Sequence, residues 1–148
     1  MKLSMRILSD WLKTFPQSTN IIGGEAVLTG ARLYSPDSPE PDPSAVIVGY
    51  ASQILPLEFM EFQEEHEEKV LCSNGKDWIA LDHTDIGAIL NAVLKAFEFY
   101  NEWEWSIKDA AYSNTDTAFQ TILDLSSPAI DNPMLIADWK GQVLAVSR

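Results

Sequence analysis

The longest regular pattern of apolar positions runs from Asp85 to about Tyr112 and predicts one long helix. Apolar or small residues recur there in two sets, each with a spacing of seven. One set is Ile86, Val93, Tyr100 and Ile107, and the other is Ile89, Ala96, Trp103 and Ala110. This spacing is typical of helices that pair along a seam. The helix is expected to be about 42 Å long, more than a strand of about five residues can cover.

A second apolar row, at Leu90, Leu94 and Phe97, accompanies only the first half of this helix. We therefore expect the first half to pack on a sheet and the second half to keep a single seam for a second copy. The predicted homodimer interface consists of Val93, Ala96, Tyr100, Trp103 and Ile107. An ordinary bundle helix remains the alternative, because aromatic residues at such positions are unusual in dimeric coiled coils.

Shorter patterns before this helix predict a small sheet. Apolar spacing predicts a helix over residues 4–15, capped by Ser4 and ended by Pro16. Four segments are predicted as strands: residues 27–34, 45–50, 69–73 and 77–82. A loop with four prolines separates the first two, and Asn74-Gly75 between the last two is a strong hairpin signal.

After the long helix, residues 117–125 predict a short helix with Asp116 as its cap, and residues 134–138 and 143–147 predict a hairpin. The predicted fold class is α+β: a small mixed or antiparallel sheet with an N-terminal helix and one long helix, followed by a short helix and a β-hairpin. We expect three regions. They are a sensory domain at 1–84, a linking and dimerisation helix at 85–113, and the start of a further module at 114–148.

Charge and composition exclude several classes of partner. The formal net charge is −12 and the isoelectric point is about 4.3. A surface this acidic repels nucleic-acid phosphates and anionic membranes. No apolar run approaches the roughly 20 residues that span a bilayer. The single cysteine, Cys72, suits a reducing compartment, so the expected location is the cytoplasm.

The sequence offers little for catalysis, and we expect no enzyme activity, no cofactor and no metal site. No nucleotide-binding, zinc or calcium motif is present. The one acidic cluster, residues 61–68 with His66 inside it, reads more readily as a solvated segment than as a metal site. A small metal-dependent enzyme that uses this cluster stays open as an alternative.

A small-molecule effector site is a further expectation, because binding groups often collect at strand ends and turns. The candidate ligand-binding residues are Tyr34, Tyr50, Asn74, Asp77 and Trp78. The competing interpretation is that the aromatic residues pack the core while Asn74 and Asp77 build the turn.

Several segments resemble the N-terminal region of PucR-type (purine catabolism regulator-like) bacterial transcription regulators. They are Leu3-Ser4-Met5-Arg6-Ile7-Leu8, Gly30-Ala31-Arg32-Leu33-Tyr34, Val46 to Ser52, Val70 to Asp77, and Leu90 to Trp103. The stretch from Asp131 to Ser147 looks like the start of the PAS/GAF-like sensor module of these proteins. The resemblance implies a non-catalytic sensory and dimerisation region, with DNA binding left to a helix-turn-helix outside these residues. A stand-alone adaptor, whose terminal hairpin completes its own sheet, is the alternative.

Overall fold

The predicted α+β class is confirmed by the computed structural model, which describes residues 1–37, 42–54, 69–83, 85–113 and 115–147. The helices are α1 (Met5–Trp11), α2 (Ala51–Ile54), α3 (Ile86–Tyr112) and α4 (Ala118–Ser126). The strands are β1 (Gln17–Asn20), β2 (Gly30–Leu33), β3 (Ala45–Tyr50), β4 (Val70–Ser73), β5 (Trp78–Leu81), β6 (Leu135–Ala137) and β7 (Val143–Val146). The chain divides into two compact units, Met1–Phe97 (unit 1) and Glu98–Arg148 (unit 2).

Unit 1 is built on a five-stranded mixed sheet in the order β1-β5-β4-β3-β2. Strands β2 and β3 run parallel, and every other neighbouring pair is antiparallel. The residues of β4 and β5 are all buried, so the Asn-Gly hairpin forms the centre of the sheet. Strand β1 was not predicted, because Gln17-Ser18-Thr19-Asn20 is polar. It is a strand because each of its residues pairs with one of β5.

One face of this sheet carries the main core. The side chains of Val46, Val48, Val70, Cys72, Ile79 and Leu81 alternate onto this face and are all fully buried. Gln17 lies on the same face and donates from Nε2 to the carbonyl of Ser9 at 2.9 Å, which places α1 beside it. The indole N–H of Trp11 donates to the carbonyl of Ala92 at 3.0 Å and so ties α1 to α3.

The opposite face is covered by a smaller cluster. Leu71, Trp78 and Ala80 of the central hairpin pack with Ala51 and Ile54 of α2. Gly49 lies beside this layer, and a Cβ atom there would stand 2.7 Å from the Cβ of Tyr34. The backbones of β2 and β3 are therefore closely packed at this point.

Side chains of polar residues fix the helix ends and turns. Ser4 accepts from the N–H of Ile7 at 3.2 Å, which confirms it as the cap of α1. Asp85 accepts from the N–H of Ala88 at 3.1 Å at the start of α3. Gly75 has φ of 87°, the left-handed conformation that the Asn-Gly signal predicts. Two details of the sequence prediction are wrong. Helix α1 ends at Trp11 rather than at residue 15, and Thr117, not Asp116, occupies the N-cap of α4.

Unit 2 contains the later part of α3, the helix α4 and the β6–β7 hairpin. The hairpin forms a two-stranded sheet of its own, and in the described residues it does not extend the five-stranded sheet. The carboxylate of Asp138 closes its turn by accepting from the N–H groups of Lys140 and Gln142. The pairing with the main sheet that the adaptor alternative expects is absent from the part of the chain that the structure describes.

Candidate interaction surfaces

The five candidate ligand-binding residues lie at two ends of the main sheet. Tyr50 pairs with Val70 at one end of β4, and Trp78 pairs with Ser73 at the other end. Val70 and Ser73 are three positions apart, a distance of about 10 Å along the strand. Tyr34 lies beside Gly49 and therefore at the Tyr50 end. The five residues thus lie toward the two ends of β4, and their role in binding an effector stays a prediction.

Each polar member of this set has a structural task. The side chain of Asn74 accepts from the N–H groups of Lys76 and Asp77, at 3.0 and 2.7 Å, and so builds the turn. The buried carboxylate of Asp77 accepts from the N–H of Ile22 at 3.0 Å and holds the segment after β1. Trp78 is buried in the α2 cluster. This geometry matches the competing interpretation, in which these residues pack the core and build the turn.

The heptad seam of α3 is directed toward the rest of its own chain. Val93 and Ala96 are fully buried, and this leaves them no surface to offer a second copy. Tyr100, Trp103 and Ile107 are partly buried. The periodicity identified the apolar side of the helix correctly. Other residues of the same chain, however, already cover Val93 and Ala96 on that side. We therefore remove Val93 and Ala96 from the expected dimer interface.

Two aromatic residues on α3 that the heptad sets omitted are the ones left exposed. Trp105 is 75% exposed and Tyr112 is 86% exposed. They are seven residues apart, which places them within about 20° of each other around the helix. The sequence did contain a signal for this exposed pair, since the two aromatic residues are seven positions apart. A single pair is a weak pattern, and it was not used.

The hairpin of unit 2 also leaves apolar side chains uncovered. Leu135 pairs with Val146 and Ala137 pairs with Val143, so these residues share one face, on which the three larger side chains are exposed. Trp139, in the turn, is 90% exposed, and the ammonium group of Lys140 lies 5.0 Å from its ring. The other face contains Ala145, which is buried. The hairpin therefore covers one of its two faces.

An open polar cavity of about 430 Å³ lies between α1 and β1. We call it the α1–β1 groove, and its lining residues are Arg6, Ser9, Asp10, Lys13, Gln17, Thr19 and Ile21. The carboxamide of Gln17 makes two hydrogen bonds that join the two sides of the groove. Its oxygen accepts from the hydroxyl of Ser9 at 3.3 Å, and its Nε2 donates to the carbonyl of Ser9. No pattern in the sequence predicted this groove, because it depends on the unpredicted strand β1.

Chemistry-bearing side chains are few in the described part of the chain. The Glu/His cluster at 61–68 lies outside the described residues, and within them no group of three or more His, Cys, Asp or Glu side chains is placed to hold a metal ion. Burial raises the pKa of the Cys72 thiol to about 12, so this thiol stays protonated and unreactive. Across the same residues, no helix has the length and apolar character needed to cross a membrane.

Comparison with known proteins gives no family assignment: no family model, curated protein or solved structure matches the chain.

Proposed function

We propose that this chain is a non-catalytic regulatory region of a bacterial transcription regulator and that unit 2 mediates its self-association. One observation supports self-association most directly. Nine of the fourteen exposed large hydrophobic side chains in the described residues lie in unit 2. They are Trp105, Tyr112, Phe119, Ile130, Leu135, Trp139, Val143, Leu144 and Val146.

Unit 2 buries little apolar surface in return. Its buried apolar side chains in the described residues are Ala110, Leu123 and Ala145. An isolated two-stranded hairpin is marginally stable in water, and clustered exposed apolar side chains mark protein-interaction sites. A second copy is the proposed partner, because Trp105 and Tyr112 project from one side of the helix and a two-fold axis pairs such a side with itself.

The assignment to a transcription regulator rests on the resemblance to PucR-type proteins given above. In such a protein, a symmetric pair of helices holds two DNA-binding heads at the spacing of a palindromic site. The net charge of −12 favours a role in which this region itself does not contact phosphates. A single buried cysteine fits the proposed cytoplasmic location. We assign no effector, because the polar groups of Asn74 and Asp77 are already engaged in building the turn and holding the segment after β1.

Analytical ultracentrifugation over protein concentrations up to about 100 µM tests the self-association, because an oligomer dissociates on dilution. We expect a dimer that Trp105→Glu or Tyr112→Glu converts to a monomer. Asn91→Glu is the matched control, since it adds the same charge at an exposed position in the part of α3 that belongs to unit 1. A wild-type monomer at every concentration contradicts the proposal. So does a dimer that all three variants leave unchanged.

A further inference from the structure

We propose that the α1–β1 groove binds an extended acidic peptide segment, which adds to the outer edge of β1 as a sixth strand of the main sheet. The segment belongs to a partner protein and is recognised by its backbone and its carboxylates. The site lies entirely in unit 1, so the proposal does not depend on self-association through unit 2.

The outer edge of β1 presents backbone groups to solvent. Strand β1 ends the sheet order, and no strand of the described residues pairs with its outer side. The N–H of Asp82 donates to the carbonyl of Pro16 at 2.8 Å. Backbone groups alternate in direction along an antiparallel strand, so those of Ser18 and Asn20 face β5 and those of Gln17 and Thr19 face outward. These outward groups are what an added strand requires.

Edge strands that avoid pairing usually carry a charge, a proline or a bulge. The residues of β1 are all uncharged, none is proline, and their register with β5 is continuous. The edge is therefore left open to another strand.

The groove lies between helix α1 and this edge, so α1 forms one wall and β1 forms the other. Gln17 and Thr19 direct their side chains to the face on which α1 lies, and both residues line the groove. A strand added here places every second side chain toward α1. The cavity of about 430 Å³ provides room for these side chains. A helix beside an open strand edge thus favours a single extended segment as the occupant.

The charges in the groove select acidic side chains. Its two cations are Arg6 and Lys13, against one acid, Asp10. The Nζ of Lys13 lies 3.6 Å from the carboxylate of Asp10, with both side chains well exposed. Such an exposed pair contributes little stability, so a peptide carboxylate can replace it. Arg6, the second cation, is also exposed and lines the same groove.

The spacing of the two cations sets the spacing of the acids. Arg6 and Lys13 are seven positions apart, on α1 and the turn that continues it, which spaces their backbones by about 10 Å. Side chains on one side of a strand are about 6.6 Å apart, so acids at positions i and i+2, or i and i+4, reach both cations through their flexible stems. The other acids of the chain oppose this binding weakly, because physiological salt screens charges beyond about 8 Å.

The first test measures fluorescence anisotropy with a labelled octapeptide of alternating valine and glutamate. Two matched peptides replace glutamate with glutamine or with lysine. We expect the glutamate peptide to bind at least tenfold more tightly than either, with an affinity that falls as salt rises. Equal binding of the three peptides, or tighter binding of the lysine peptide, overturns the charge assignment.

The second test changes the groove. Arg6→Gln and Lys13→Gln should each weaken binding about fivefold, while Lys95→Gln, which removes an exposed cation from α3, should leave it unchanged. Thr19→Pro should abolish binding, because it removes an outward N–H without removing a bond to β5. Circular dichroism checks that the variants remain folded. Unchanged binding in the Arg6, Lys13 and Thr19 variants overturns the proposed site.

The third test needs no protein variant. Two forms of the glutamate peptide carry N-methyl groups on alternate residues, one set on the odd positions and the other on the even positions. Strand addition predicts that one form loses binding while the other keeps it, since only every second N–H faces β1. Equal behaviour of the two forms overturns strand addition.

Loss of dimerisation in the Thr19→Pro variant also overturns the proposal, because it assigns the edge to a second copy.

Discussion

The close approach of Tyr34 to Gly49 makes Gly49→Ala a sharp test of the packing between β2 and β3. A Cβ at Gly49 would lie 2.7 Å from the Cβ of Tyr34, 3.1 Å from Cδ1 of Ile54 and 3.2 Å from Oε1 of Gln53. The first contact is the decisive one, because a Cβ atom moves only with its backbone. Overpacking of this kind typically costs about 1–3 kcal/mol.

A second effect works in the opposite direction. Replacing a strand glycine with alanine lowers the conformational entropy of the unfolded chain, which stabilises the folded state by about 0.5–1 kcal/mol. We expect the overpacking to prevail, with a net loss of about 1–2 kcal/mol in the free energy of unfolding.

Gly30→Ala is the matched control. Gly30 is also a strand glycine, in β2, and a Cβ built there meets no atom within 4 Å. Gly30→Ala should therefore lower the entropy of the unfolded chain as Gly49→Ala does, but without a steric clash in the folded state. The difference between the two variants therefore isolates the overpacking at Gly49, and we expect it to be about 1–3 kcal/mol.

Cys72 provides an assay that responds to unit 1 alone. It is the single cysteine of the chain, it lies in β4, and it is fully buried. A brief pulse of iodoacetamide at increasing urea concentration therefore modifies it only where unit 1 has opened. With a urea dependence of about 1–3 kcal/mol per molar, the two variants should differ in midpoint by about 1 M. Equal midpoints would refute the inference that the β2 and β3 backbones are too closely packed to admit a methyl group.

Two further outcomes are expected. Because the folded pKa of Cys72 is about 12 against an ordinary 9.0, the folded state keeps a proton that the unfolded state releases between these values. Stability should therefore fall as pH rises from 9, by up to about 1.4 kcal/mol per unit, and urea midpoints by circular dichroism should show a smaller fall in Cys72→Ala. Trp11→Phe removes the hydrogen bond to the carbonyl of Ala92 and should cost about 1–2 kcal/mol in the pulse assay. An unchanged urea midpoint in the Trp11→Phe variant would contradict the assigned role of this hydrogen bond.

The elements that sequence reasoning located well are those with strong local signals. Strand β3 has the predicted bounds, Ala45–Tyr50, because its apolar run follows a proline-rich loop. Helix α3 begins one residue after the predicted start and ends at Tyr112, because its periodicity is uninterrupted. The Asn74-Gly75 turn has the predicted left-handed glycine.

The features that were missed depend on tertiary contacts. Strand β1 has no apolar pattern, and its pairing with β5 over a long sequence separation determines its conformation. The α1–β1 groove was missed with it. The seam of α3 shows the related limit, since periodicity identifies an apolar side of a helix without identifying what covers it. Trp105 and Tyr112 became candidates only when the burial of their neighbours was known.

The position of the β4–β5 hairpin has a consequence for the order of folding. These two strands are joined by only four residues, yet they occupy the middle of the sheet. Closing so short a loop costs little chain entropy, so the central pair is expected to form early. Strand β1 meets β5 only after more than fifty intervening residues are brought together, so it joins late. The strand with the longest loop to close is thus the same strand whose outer edge stays open to another chain.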